Sequence, residues 1–160
     1  MKELSEKEAL YKAAAYCSSS EHCLSEVADK LDGWGVSPAV KESILQYLLK
    51  EKYIDENRYC RCFVSDKFRY NKWGKNKIAQ ALWQKKISKD VFDVWLNEID
   101  EQEYIDVLKE LIAAKKKSIK AKSSYELNGK LIRFALGRGF EMEMIKRCIN
   151  CCLLYTSPSP

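Results

Sequence analysis

The sequence predicts an all-α chain of three tandem three-helix repeats, and three observations support this. Apolar residues recur at spacings of three and four along most of the 160 residues, and no stretch alternates with the period of two that a half-buried strand needs. Six glycines and three prolines supply too little punctuation for a β-rich fold. The third observation is internal repetition. A shift of 51 residues lays Val27, Ala28 and Leu31 over Ile78, Ala79 and Leu82, and carries Val36, Ser37, Val40 and Ile44 onto Ile87, Ser88, Val91 and Trp95. A further shift of 53 lays Leu131, Ala135, Phe140, Met144 and Cys148 over Ile78, Leu82, Ile87, Val91 and Trp95. Each unit reads as a leading helix, then helix, short turn, apolar anchor and helix, a repeat of about 50 residues. The repeats are expected over 1–52, 53–99 and 100–150.

Nine helices follow in order. Leu10, Ala13, Ala14 and Cys17 line one face of a helix from Ser5 to Cys17, which Ser18-Ser19-Ser20 stops. A second carries Leu24, Val27, Ala28 and Leu31 and ends in Asp32-Gly33-Trp34-Gly35. Ser37 as cap and Pro38 at the first helical position start a third, through Val40, Ile44, Tyr47 and Leu48 to about Glu51. Asp55 caps the fourth, with Tyr59, Cys60, Phe63 and Val64 inward and Arg58, Arg61, Ser65, Arg69 and Lys72 on the opposite stripe. After the Trp73-Gly74 break, Ile78, Ala79 and Leu82 mark the fifth. Ser88 caps a sixth through Val91, Val94, Trp95 and Ile99. The seventh holds Tyr104, Val107, Leu108, Leu111 and Ile112 and runs into Lys115-Lys116-Lys117, where cations suit the negative end of the helix dipole. Leu131, Phe134 and Ala135 carry the eighth to Gly137, and Met144, Ile145 and Cys148 the ninth. The last ten residues, CCLLYTSPSP, match no repeat and read as an appended, non-native or disordered tail over 151–160.

Composition narrows the function. No apolar run reaches the roughly 20 residues of a membrane-spanning helix, and the N-terminus lacks a signal-peptide core, so a cytoplasmic protein without a membrane partner is expected. Seven cysteines, at 17, 23, 60, 62, 148, 151 and 152, show no disulfide framework. Cys148-x-x-Cys151 lacks the second pair that a zinc site wants, so reduced thiols acting as small apolar residues are expected and no metal or other cofactor. His22 is the only histidine and has no evident acid–base partner, and no phosphate-binding glycine loop is present. Catalysis is not expected.

Charge is where the sequence speaks of binding. The net charge is +5, yet residues 1–57 sum to −4, 58–89 to +9, 90–114 to −7 and 115–138 to +7. Two basic blocks nearly free of acids call for an anionic partner. Aromatics interleave with them, namely Tyr59, Phe68, Tyr70 and Trp73, then Tyr125 and Phe134. Exposed examples could stack on unpaired bases, while Phe63 and Trp95 are expected in the core. The acids from Asp90 to Asp106 are candidates to pair with basic patches on neighbouring repeats or on a partner.

Several motifs in this order carry a family resemblance. They are Tyr53-Ile54-Asp55-Glu56-Asn57-Arg58-Tyr59-Cys60, Phe63-Val64, Gly74-Lys75-Asn76-Lys77-Ile78, Leu82 and Lys85-Lys86-Ile87. The third repeat adds Lys130-Leu131-Ile132-Arg133-Phe134 and Gly137-Arg138-Gly139-Phe140. Over roughly residues 8–150 the chain resembles the RecX family, bacterial modulators of the RecA recombinase. The resemblance implies an elongated, curved molecule, monomeric when free, that lodges in the groove of the RecA–DNA filament and restrains its ATPase and recombinase activity. It also implies binding of single- or double-stranded DNA and a place in DNA repair, recombination and the SOS response. Some members support recombination instead, so the sign of regulation stays open. One departure is Lys86, where the family usually has a glycine before the apolar anchor; Gly35 and Gly139 keep theirs. A left-handed backbone at Lys86 would cost about 1 kcal/mol.

The candidate contacts to DNA or the filament are Arg61, Arg69, Lys72, Lys75, Lys77 and Lys85, with Lys86 beside them. A second patch holds Lys115, Lys116, Lys117, Lys120 and Lys122, and the third repeat adds Arg133 and Arg138. Two alternatives are a helical nucleic-acid-binding module unrelated to recombination and a protein-interaction scaffold.

Overall fold

The structure is a computed structural model. It describes residues 4–156, and their side chains as far as Ile149. Nine helices and no strand occur among the described residues: α1 Glu6–Ser19, α2 Leu24–Gly33, α3 Pro38–Lys50, α4 Glu56–Arg69, α5 Lys75–Gln84, α6 Lys89–Asn97, α7 Glu101–Ser118, α8 Ser124–Gly137 and α9 Met142–Thr156. None of them is long and apolar enough to cross a membrane. α9 runs six residues past Asn150, into the stretch expected to be a tail, and residues 157–160 lie outside the described residues.

Local chemistry explains the helix starts. Ser5 accepts the Glu8 N–H at 3.2 Å, Asp55 the Arg58 N–H at 3.0 Å, Asp100 the Glu103 N–H at 2.9 Å and Ser123 the Glu126 N–H at 3.1 Å. Each satisfies a donor that the first helical turn leaves without a partner. At α2 the Glu26 carboxylate reaches back to the Cys23 N–H at 3.1 Å.

Two compact units emerge. Met1–Phe63 with Leu82–Phe92 form the first, and Val64–Ala81 with Asp93–Pro160 the second, so α4, α5 and α6 each contribute to both. In the first unit α1, α2 and α3 close on Ala9, Ala13, Val27, Leu31, Ile44 and Leu48. In the second, α7, α8 and α9 pack around Leu108, Ile112, Leu131, Ala135 and Ile145. Three rings continue this core: Phe68 lies 5.7 Å from Tyr104, and Tyr104 5.1 Å from Phe140.

Several inward-facing expectations shift by a residue. α6 buries Phe92 and Leu96, whereas Val94 is exposed and Trp95 only half-buried. Five apolar residues lie on this nine-residue helix, so two registers compete. The winning one buries Phe92 and Leu96, one turn apart, and leaves the large Trp95 indole partly wet. α3 likewise buries Leu45 while Tyr47 is exposed. α4 buries Cys60, Val64 and Phe68 at steps of four, so Phe63, expected in the core, is half-buried against Tyr59 at 5.7 Å. Lys72 is not on the α4 stripe either: the helix ends at Arg69, and Lys72 sits in the following turn at φ +58°.

Lys86, where the sequence left open a different turn or a strained one, takes the strained left-handed backbone, at φ +63°, like Gly35 at +77° and Gly139 at +97°. The five cysteines with described side chains, 17, 23, 60, 62 and 148, are free thiols, and 23, 60 and 148 are buried.

Candidate nucleic-acid interface of the second unit

Two glycine turns build the site. Gly74 follows α4 and Gly139 follows α8, and their backbones touch: the Gly74 N–H donates to the Arg138 carbonyl at 2.7 Å and the Asn76 N–H to the Gly139 carbonyl at 2.9 Å. A Cβ on Gly74 would overlap the Gly139 backbone, and one on Gly139 would overlap Lys77. Only glycine allows this approach, and Gly139 also takes a left-handed φ.

The docked turns gather cations from distant parts of the sequence. Lys67 and Lys77 place their ammonium groups 4.9 and 4.6 Å from the centre of the Trp73 ring. Arg138 donates to the Asn71 carbonyl at 3.0 Å and lies 5.6 Å from the centre of Phe134, whose ring also has Lys115 at 5.2 Å. A cation over an aromatic face is attracted by the ring quadrupole. Lys67 and Lys77 thus lie over Trp73, and Arg138 and Lys115 over Phe134, with the Arg138–Asn71 bond and the docked glycine turns linking the two half-buried rings. Tyr70 and Tyr125, elsewhere on the same unit, are 81% and 90% exposed. Tyr59 and Phe68, also candidates for stacking, belong to the core, with Phe68 only 2% exposed.

The other candidate cations differ in availability. Arg69 is 3.7 Å from Glu103 with its side chain 59% exposed, a loose pair worth little in water. Lys75 is drawn inward, its N–H on the Tyr104 hydroxyl at 3.0 Å and its ammonium 5.0 Å from that ring. Lys85, in the first unit, is bound to Glu26 at 3.1 Å. Arg61 and Lys86 of the first unit and Lys117, Lys120, Lys122 and Arg133 of the second are exposed, while Lys72 and Lys116 are half-buried. The Lys120 carbonyl holds the Lys130 ammonium at 3.0 Å, and the Lys122 N–H bonds Glu126 at 3.1 Å. Sequence reasoning passed over Lys67, which lies six residues from Trp73 on the far side of a turn. The Lys-rich run around it was the available signal.

Burial sets the chemistry of the supporting residues. Tyr104 is held well above the ordinary phenol range, first by burial and then by its hydrogen bond to Glu141, so it remains a donor to that carboxylate. Cys60 is pushed up to about 12 by burial and by Glu56, which leaves it an inert thiol. His22 has more company than the sequence suggested: Ser20 Oγ lies 2.9 Å from its Nε2, Glu26 3.4 Å from its Nδ1, and Tyr16 stacks on the ring at 3.7 Å. Glu26 is already shared between the Cys23 N–H and Lys85, so the group braces the start of α2. Among the described residues no three His, Cys, Asp or Glu side chains are grouped to hold a metal.

Comparison with known proteins agrees with this architecture. Residues 55–93 match the second three-helix domain of RecX, and residues 101–149 the third. The regulatory protein RecX of Vibrio parahaemolyticus is 31% identical over 147 residues, covering 92% of this chain and 91% of that protein. The regulatory protein RecX of Lactobacillus johnsonii is 29% identical over 136 residues, 85% of this chain, and the chain spans half of that longer relative. In fold, the crystal structure of RecX from Lactobacillus salivarius superposes with a TM-score of 0.83 over 91% of this chain and 94% of that one, at 19% identity.

Proposed function

The chain belongs to the RecX family, and from that premise we propose that it is a regulatory protein that binds the RecA–DNA filament and restrains RecA ATPase and recombinase activity. Its setting is cytoplasmic DNA repair, recombination and the SOS response, with the chain monomeric when free. The observation that carries this reading is the cluster of Lys67, Lys77, Lys115 and Arg138 around Trp73 and Phe134. A filament groove offers phosphates and acidic side chains together, and this surface complements both. Occupying the groove would block strand access and hinder the subunit movements that ATP turnover requires. The chain does no chemistry of its own in this scheme.

The test is RecA ATP hydrolysis on single-stranded DNA across a salt series. Substoichiometric chain should inhibit, and Lys67→Ala with Lys77→Ala should weaken inhibition while leaving the fold intact by circular dichroism. Unchanged ATPase and strand exchange at saturating chain would sink the proposal. The exposed Tyr70 and Tyr125 favour one second reading, a nucleic-acid module unrelated to recombination. Salt-sensitive binding to bare DNA without any effect on RecA would select it.

A further inference from the structure

One hydrogen-bonded helix ending recurs four times in this chain. The residue after a left-handed position donates its N–H to the carbonyl five residues back: Val36 to Leu31, Tyr53 to Leu48, Ile87 to Leu82 and Phe140 to Ala135. The left-handed residue itself is Gly35 in the first case and Gly139 in the last, but Lys52, at φ +65°, and Lys86, at +63°, in the middle two. A fifth left-handed position, Lys72, follows α4, where the Trp73 N–H donates to the Lys67 carbonyl at 3.1 Å. Every described non-glycine residue with positive φ is therefore a lysine.

Glycine is the stable residue at such a position, because any Cβ there crowds the backbone. At Lys52 and Lys72 favourable charge at a helix end does not explain lysine either, whereas α5, before Lys86, has no cation in its last turn. Lys50 already supplies that charge from within the last turn of α3, and Lys67 and Arg69 do so in α4, with no backbone penalty. Two of the strained turns are also held by arginines. Arg58 donates to the Lys52 carbonyl at 3.1 Å and the Tyr53 carbonyl at 3.3 Å, and Arg138 to the Asn71 carbonyl beside Lys72. Strain that the surroundings hold in place points to use of the residue that bears it.

We infer that Lys52, Lys72 and Lys86 are direct phosphate contacts to nucleic acid, kept in place of glycine for their ammonium groups. This rests on the nucleic-acid part of the proposed function and assigns residues to it. Nucleic acid is favoured over an acidic protein by what stands beside each lysine. Tyr53 is 37% exposed and Trp83 65% exposed, while Trp73 is half-buried with Lys67 and Lys77 over its ring, so each strained cation has an aromatic residue within three positions. Phosphate contact next to base stacking is how single strands are held.

The experiment replaces each lysine by glycine in the full chain and compares it with Lys7→Gln, which removes the same charge from an exposed site on α1. Thermal midpoints are measured without ligand, and binding of a fluorescent oligothymidylate is measured against salt. Each glycine variant should melt at or above the parent, bind several-fold more weakly and lose about 0.7 of the log–log salt slope. Lys7→Gln should do none of this. Three results would overturn the inference: binding and slope matching Lys7→Gln, a lowered melting midpoint, or binding of poly-L-glutamate lost while the oligonucleotide is retained. Parent protein that ignores the oligonucleotide would overturn both this assignment and the nucleic-acid part of the proposed function. Unaffected variants of a binding parent would overturn the assignment alone.

Discussion

Tyr104 shows how much one side chain can hold. Its ring packs between Phe68 and Phe140, while its hydroxyl accepts the first N–H of α5 from Lys75 and donates to Glu141. Tyr104→Phe keeps the ring and strands both partners, so a loss of about 1–3 kcal/mol is expected in urea denaturation; a change near zero would show that the hydroxyl is dispensable. Gly74 works by absence. A methyl group there overlaps the Gly139 backbone, and no flexible side chain can yield. Gly74→Ala should cost about 3 kcal/mol or more, with the mechanism of overpacking at a backbone contact, whereas Gly35→Ala meets no atom within 4 Å and bears only the left-handed penalty of about 1 kcal/mol. Comparing the two midpoints separates collision from conformation.

At the scale of elements, helix starts show how repeats are joined. The first N–H of α2, from Leu24, bonds the Glu56 carboxylate of α4 at 2.9 Å, and the first N–H of α5 bonds Tyr104 of α7. In both cases the leading helix of the next repeat caps the second helix of the one before. α8 caps itself instead with Ser123 and Glu126. The first of these junctions carries two carboxylates of opposite tendency. Burial pushes Glu26 up, but the Cys23 N–H, Lys85 and His22 outweigh it and hold the group below its ordinary 4.5. Burial raises Glu56, reinforced by Asp55 and Glu26 against the Leu24 N–H, and one of its oxygens is buried without a partner. Ionised Glu26 therefore adds stability above about pH 4.5 that is lost as pH falls through its folded value. Glu56 does the reverse, favouring the fold below about pH 4.5 and losing that contribution as pH rises through its raised value. Urea midpoints across pH should show Glu26→Gln destabilised at neutral pH with a shrinking deficit in acid. Glu56→Gln should be no weaker than the parent at neutral pH, with any advantage fading in acid. Shifts of the same sign in both variants would refute this account.

For the whole molecule, the repeat of sequence and the compact units of structure follow different boundaries. The middle repeat has helices that contribute to both units, and its cations divide accordingly, Arg61, Lys85 and Lys86 in the first and Lys67, Lys72, Lys75 and Lys77 in the second. The +9 charge of residues 58–89 is therefore divided between the two units. The cluster of the second unit draws instead on two basic blocks, and its four cations should contribute roughly −3 to the log–log salt slope of single-strand binding. Titrations of the chain and of its Lys67→Ala/Lys77→Ala variant measure this: the variant should lose about half of that contribution. Equal slopes would place the phosphate contacts elsewhere.

The sequence alone determined the helical class, the nine helices and the Trp73-Gly74 break. These depend on periodicity, capping and backbone sterics, which act over a few residues. It did not determine which face of α6 is buried, because Val91, Phe92, Val94, Trp95 and Leu96 satisfy two registers, and neighbouring side chains chose between them. The availability of each basic residue was equally hidden. Lys75, Lys85 and Arg58 look alike in a Lys/Arg-rich run, yet Tyr104, Glu26 and Glu21 engage them from 29, 59 and 37 residues away. Tertiary structure decided the candidate site because two glycine turns, 65 residues apart, dock backbone to backbone and bring Arg138 against Asn71. Local pattern carries no trace of that contact, since its energy comes from groups that meet only when the chain has folded.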